Sequence, residues 1–315
     1  MKRVAALMAV MPLLTPACRS GERAPEPSGP RIALVLKTLN SPFFIDIQRG
    51  AEDAARRLGV ALTVQAAERE VDVDKQMQII ENLIQTRVAA LCVTPSGSKE
   101  IVPAILKANQ AGIPVVVVDT KVDAQAASQA GIRIDSFVGS DNYEGGRLAG
   151  LHLAELTRGK ANVALLEGIP GHETGDSRLR GFRDAVKQAP GIRIVASQTA
   201  NWERDQGFTV FQNMLQAHPE IDALFACNDM MALGAIEAIA AAGRAGKVRV
   251  VGFDAVEDAR KAIEAGTLAA SVAQSPSEMG RIAVESALKL VSGETVAQEQ
   301  TVPIELVAPA TSGGN

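Results

Sequence analysis

Short runs of branched apolar residues recur along this chain, and five of them end on a small polar or aromatic cluster just before an amphipathic stretch begins. The endings are Lys37-Thr38-Leu39-Asn40-Ser41-Pro42-Phe43-Phe44, Val118-Asp119-Thr120, Glu167-Gly168 running on to Asp176, Cys227-Asn228-Asp229 and Gly252-Phe253-Asp254. Buried strands alternating with helical periods specify βαβ units and hence a parallel sheet. In an open parallel sheet the carboxyl ends of the strands form the ligand crevice. That edge is loaded here with hydrogen-bonding groups and two adjacent phenylalanines, which suits a polar molecule with apolar faces.

The pattern starts at Arg31, and the first strand reads as Ile32 to Leu36. Ser41 before Pro42 gives an N-cap with proline at the first helical position, and Gly59 after Leu58 gives the stop. Further strands read at 61–65, 89–94 and 114–119, with helices near 73–86 and 98–111 between them. The second half repeats the scheme, with strands near 162–167, 192–197, 221–226 and 248–252. Its helices are expected near 143–157, 177–188, 204–217, 229–242 and 256–265. A strand at 268–273, a helix near 277–291 and a strand near 301–307 close the molecule. Residues 121–134, rich in Ala, Gln and Ser, read as a surface excursion, and Phe137 to Ser140 as a short strand leading into the helix cap Asp141-Asn142. The 315 residues are enough for two such α/β units, each with its own core.

The N-terminus reads as a secretory leader: Lys2 and Arg3, then apolar Val4 to Leu14, then Thr15-Pro16-Ala17-Cys18. The apolar stretch is too short for a permanent span. The segment resembles a bacterial lipoprotein processing site, so residues 1–17 are expected to be a signal peptide and Cys18 the lipidated first residue. Residues 18–30 are polar and rich in Pro, Gly and Ser. They would form a tether reaching on the order of 20 Å by coil statistics.

Net charge is −4 with no basic clusters, which argues against nucleic acid as a partner. Cys92 and Cys227 sit in or beside apolar runs in different halves and read as small buried hydrophobes, not as a disulfide. No Cys/His spacing suggests a metal, and no cofactor is expected. The glycine-rich phosphate loops and the Gly-x-Ser-x-Gly elbow are missing, and three histidines offer no nucleophile and base pair, so no enzyme is expected.

The segment Thr38-Leu-Asn-Ser-Pro-Phe-Phe44 with Asn228-Asp-Met-Met-Ala-Leu-Gly234, Val251-Gly-Phe-Asp254 and Ala273-Gln274 resembles the ribose-binding, type I periplasmic binding proteins of bacterial sugar importers. The resemblance runs from about Arg31 to Val307. It implies two Rossmann-like lobes with parallel sheets joined by a three-segment hinge, with crossings near 139–141, 274–276 and 302–304. The expected division is 31–140 plus 275–303 for the first lobe and 141–274 plus 304–315 for the second. It also implies one sugar between the lobes, because sugars offer C–H faces to aromatic rings and hydroxyls that must be paired when water is excluded. Phe43 and Phe44, bracketed by Asn40 and Ser41, would cover one face, and Trp202 would supply the ring of the second lobe. Asp119, Asn228, Asp254 and Gln274 would bind hydroxyls.

Two departures put ribose itself in doubt, because Thr120 and Asp176 stand where the family has arginines. Lys37 stands where it has a serine, and Ser41 where it has an asparagine. Lys37 could supply a missing cation and pair with Asp176, or Asp119 and Asp176 together could favour an amine or a run of donor hydroxyls. His172 or Glu173 could reach the ligand or lie solvated. The expected role is capture of a monosaccharide or polyol for the membrane permease of an ABC importer, by a monomer held to the membrane by its lipid. The alternative is a ligand-binding partner of a membrane receptor or signalling kinase.

Overall fold

The computed structural model describes residues 29–309, so the leader, Cys18 and most of the tether lie outside the described residues. The strands β1 (Arg31–Leu36), β2 (Ala61–Ala66), β3 (Ala90–Val93), β4 (Val115–Val118) and β5 (Ser136–Ser140) form one parallel sheet. A second consists of β6 (Lys160–Glu167), β7 (Gly191–Thr199), β8 (Ala223–Ala226), β9 (Arg249–Asp254) and β10 (Ala270–Ala273). Each sheet takes one further strand from the C-terminal segment. There the run expected as one strand near 301–307 divides at Pro303-Ile304 into β11 (Glu299–Val302) and β12 (Glu305–Val307). β11 pairs parallel with β5, whereas β12 pairs antiparallel with β10. Proline has no N–H for a ladder, so it suits the point where the chain leaves one sheet for the other.

The orders β11-β5-β4-β3-β1-β2 and β12-β10-β9-β8-β6-β7 are the same arrangement twice. In both, the strand order reverses at the first strand of the half, β1 and β6, and that reversal opens the crevice where doubly wound sheets bind ligands. β1 is buried on both faces: Ile32, Leu34 and Leu36 pack with α1 (Pro42–Leu58), and Ala33 and Val35 pack on the opposite side. This is why its sequence is a continuous apolar run and not an alternating one. α1 begins at Ser41, extended at φ −104°, with Pro42 next, and ends at Gly59 in the left-handed region with its N–H on the Ala55 carbonyl.

The remaining helices of the first half are α2 (Val73–Gln85), α3 (Val102–Gln110) and α4 (Ala124–Ala130). α4 lies within the expected excursion, capped by Asp123, whose side chain accepts from the Ala126 N–H. Its Ala126, Ala127 and Ala130 pack on the sheet, which composition alone does not signal in so short and alanine-rich a stretch. The second half adds α5 (Asn142–Leu156), α6 (Glu173–Val186), α7 (Arg204–Ala217), α8 (Asp229–Ala241) and α9 (Glu257–Glu264). α10 (Pro276–Val291) returns to pack on α1. The chain therefore passes between the halves at Ser140–Asn142, at Ala273–Pro276 and at Pro303–Ile304. Cys92 and Cys227 are free and buried, with burial pushing both thiols up to about 12.

Candidate functional site

The strand ends of the two sheets face one another across a cleft with about 310 Å³ of empty space, lined by Lys37, Ser41, Phe43, Phe44, Glu70, Asp119, Thr174, Arg178, Trp202, Asn228 and Asp254. Phe43 and Phe44 occupy the first turn of α1 with ring centroids 5.4 Å apart at 80°. Ser41 makes no side-chain cap for this helix, so its hydroxyl remains available to the cleft.

From the second half, Trp202 sits on the turn between β7 and α7 with both Asn201 (φ 50°) and itself (φ 68°) in the left-handed region. Asn228 caps α8 through Oδ1, which accepts from Met231 N, and its Nδ2 donates to the Trp202 carbonyl at 3.1 Å. One side chain thus starts a helix and fixes the indole turn. The indole also fills the place a side chain at Gly168 would occupy, since a Cβ there would lie 2.0 Å from Trp202 Cζ2. Asp119 (φ 65°), Asp254 (φ 107°) and Ala255 (φ 49°) are likewise in conformations L residues rarely adopt. Such strain persists where the surroundings over-determine it, characteristically at binding sites.

Of the residues expected from sequence, Lys37, Ser41, Phe43, Phe44, Asp119, Trp202, Asn228 and Asp254 line this one cleft. Gln274 stands immediately behind it. Its Nε2 donates to Asp254 Oδ1 at 2.7 Å, while its buried Oε1 has no partner among the described residues. Thr120 is fully buried and acts on Asp119, its hydroxyl donating to Oδ2 at 2.9 Å. Asn40 is at the rim, donating to the Glu68 carbonyl at 2.8 Å.

Asp176 is not among the residues lining this cleft, and of the two alternatives offered for it the pairing with Lys37 is not formed. The Lys37 ammonium instead lies 3.6 Å from Glu70 and 3.8 Å from Asp119. Asp176 has Arg180, Glu173 and Glu167 for charged neighbours. A guanidinium nevertheless reaches the cleft from α6, because Arg178, two residues beyond Asp176, is buried against it. Its Nε donates to Asn142 at 2.9 Å, its Nη1 to the Cys227 carbonyl at 2.6 Å, and Nη1 lies 3.6 Å from Asp254 Oδ1. The guanidinium carbon is 3.7 Å from the Phe253 ring centroid, a close cation–π contact. α5 and α6 approach closely enough for this because of their glycines: a Cβ at Gly146 would stand 2.0 Å from the Arg178 carbonyl.

Sequence reasoning passed over Arg178, Thr174 and Glu70. The first two have a signal, because Thr174 and Arg178 are four apart and share one face of α6, whereas Asp176 is on another. Helix α6 begins at Glu173, a turn earlier than expected, so Asp176 lies inside the helix, about 200° around its axis from both Thr174 and Arg178. Glu70 comes from the irregular connection between β2 and α2, which has no periodicity to read.

The cleft mixes cations with an excess of buried carboxyls. Burial pushes Glu70 up to about 7, against the pull of Lys37, and the nearby Asp119 and Asp254 charges push the same way. Burial likewise raises Asp254 to about 6, with Arg178 the strongest opposing influence. Asp229, beneath it, is also raised by burial and the Asp254 charge, although Ser271 and Val256 donate to it. A carboxyl whose pKa is higher folded than unfolded favours the folded chain fully below its unfolded value, and this contribution is lost as pH rises through the folded value. Urea unfolding should therefore show stability falling from pH 4.5 to about 7, and Glu70→Gln should flatten the slope. An unchanged slope in the variant would show that Glu70 does not titrate there.

Residues 32–295 match the family described as periplasmic binding protein domain. The D-ribose/D-allose-binding protein of Pseudomonas aeruginosa is 37% identical over 318 residues, covering 98% of this chain and 99% of that relative. The D-allose-binding periplasmic protein of Escherichia coli is 37% identical over 281 residues, 87% of this chain and 89% of that protein. Among solved structures, an ABC transporter periplasmic solute binding protein of Actinobacillus succinogenes with bound D-allose superposes with a TM-score of 0.84 at 41% identity. That match covers 89% of this chain and 97% of the other.

Proposed function

We propose how a member of the periplasmic binding protein domain family, to which this chain belongs, does its work: it encloses one monosaccharide between its two lobes outside the cytoplasm and delivers it to the permease of an ABC importer. The observation that carries this is the cleft itself, where rings from both lobes share one lining with carboxylate, amide, ammonium and guanidinium groups. Rings accept the C–H faces of a sugar, while Asp119, Asn228 and Asp254 accept from its hydroxyls and Lys37 and Arg178 donate to them. The unpartnered Gln274 Oε1 is one more acceptor awaiting a donor. Ligand shifts the lobes toward the closed form because only that form contacts it from both sides.

Within the sugars the reading favours an aldohexopyranose of the allose type. Two relatives and one solved structure are named for D-allose. The first lobe is read as 31–140 plus 275–303 and the second as 141–274 plus 304–315, in keeping with the three places where the chain passes between sheets. The leader and Cys18 support a lipid anchor.

Thermal unfolding in the presence of D-allose, D-ribose, myo-inositol and a non-sugar control tests the function. A ligand at 100 times its Kd adds about 2.7 kcal/mol, which in a domain of this size raises Tm by roughly 5 °C. D-allose should give the largest rise. No rise with any sugar would remove the reading.

A further inference from the structure

His172 is buried at the junction of the two lobes, and both of its ring nitrogens are engaged. Nε2 lies 2.8 Å from the carbonyl oxygen of Ser96, which follows β3 in the first lobe. Nδ1 lies 3.4 Å from the indole Nε1 of Trp202, in the second lobe. Although His172 is the N-cap residue of α6, its side chain makes no cap bond, so the helix does not account for its placement. Two further contacts cross the gap beside it, Glu173 N to Ser98 Oγ at 3.2 Å and Thr174 Oγ1 to Thr120 Oγ1 at 3.1 Å.

The partners dictate the state of the ring. A carbonyl can only accept, and an indole N–H can only donate. The neutral tautomer with hydrogen on Nε2 satisfies both. The other neutral tautomer sets a lone pair against the carbonyl and one N–H against another, and the imidazolium sets an N–H against the indole. Burial and the nearby Lys37 charge disfavour the imidazolium as well, lowering the His172 pKa to about 3.

We propose that His172 is a positioning residue that couples lobe closure to the Trp202 ring. Ser96 reaches it only when the lobes meet, and that bond selects the tautomer whose free Nδ1 accepts the indole N–H. The aromatic wall of the second lobe is then fixed by a backbone group of the first. In the open molecule the Ser96 bond is absent, the tautomer is not selected, and the indole loses one of its restraints. Closure and ligand stacking thus become a single event. The inference rests on the sugar-capture reading of the cleft.

The test uses the full chain with D-allose and D-ribose as probes. Calorimetry on wild type, His172→Phe and His172→Gln should show affinity lost by roughly tenfold in each variant, the scale of a buried hydrogen bond. In parallel, nitrogen-15 NMR of the wild-type histidines reads the tautomer, which a merely structural role would not move. His172 should pass from mixed forms without sugar to the Nε2–H form at saturation. If the variants do not fold, this measurement decides alone. Affinities within about twofold of wild type, or a tautomer identical with and without sugar, overturn the proposal and leave sugar capture intact. Failure of wild type to bind either sugar removes the capture reading, and this proposal falls with it.

Discussion

Arg178→Ala should leave no sugar-dependent rise in Tm and should destabilise the chain by about 3–5 kcal/mol, the usual consequence of deleting one partner of a buried ion pair. The reason is the number of groups that depend on one guanidinium: Asn142, the Cys227 carbonyl, Asp254 and the faces of Phe253 and Trp202. Alanine would take the countercharge from a buried carboxyl and the donor from the Asn142 amide oxygen and the Cys227 carbonyl at once. Arg178→Lys keeps the charge but cannot reproduce the planar fork, so it should recover part of the stability and little of the binding. Urea unfolding and calorimetry separate the two effects. A stable alanine variant with undiminished affinity would mean that Arg178 merely lies near the cleft.

Trp202→Ala should weaken sugar binding by about 100-fold, since truncating a buried aromatic anchor of a binding site costs on the order of 3 kcal/mol and each 1.4 kcal/mol is tenfold in affinity. Asp254→Ala should have a comparable effect on binding for a different reason: it removes an acceptor, frees Gln274 Nε2 and leaves Arg178 short of its countercharge. The ligand-free stabilities distinguish them. The tryptophan variant leaves a hole between Gly168 and Gly175, whereas the aspartate variant leaves an unbalanced cation. Should both variants bind D-allose as wild type does, the rings and carboxyls lining this cleft are not the sugar site.

Much of this was readable in advance because short buried strands followed by capped helices carry their own punctuation. Ser41-Pro42 and Gly59 mark both ends of α1, and Asn228 marks the start of α8, so the residues at the strand ends are positioned by local rules. What escaped reading depends on helix phase and on contacts between distant segments. The earlier start of α6 at Glu173 takes Asp176 into the helix, about 200° around from Arg178, so Arg178 and not Asp176 meets the cleft. Lys37 finds its countercharge on Glu70, which lies on a connection without period, and no spacing along the chain announces that meeting. His172 is similar: its partners Ser96 and Trp202 are brought to it only by the apposition of the two sheets.

Trp202 is the sole tryptophan of the chain, which contains a single tyrosine besides. The protein therefore carries an unlabelled optical reporter at the wall of its cleft, whose indole emission comes from no other place in the molecule. Stopped-flow mixing with a sugar, excited where tryptophan absorbs and tyrosine does not, would record capture and release as a change in that emission with no dye attached.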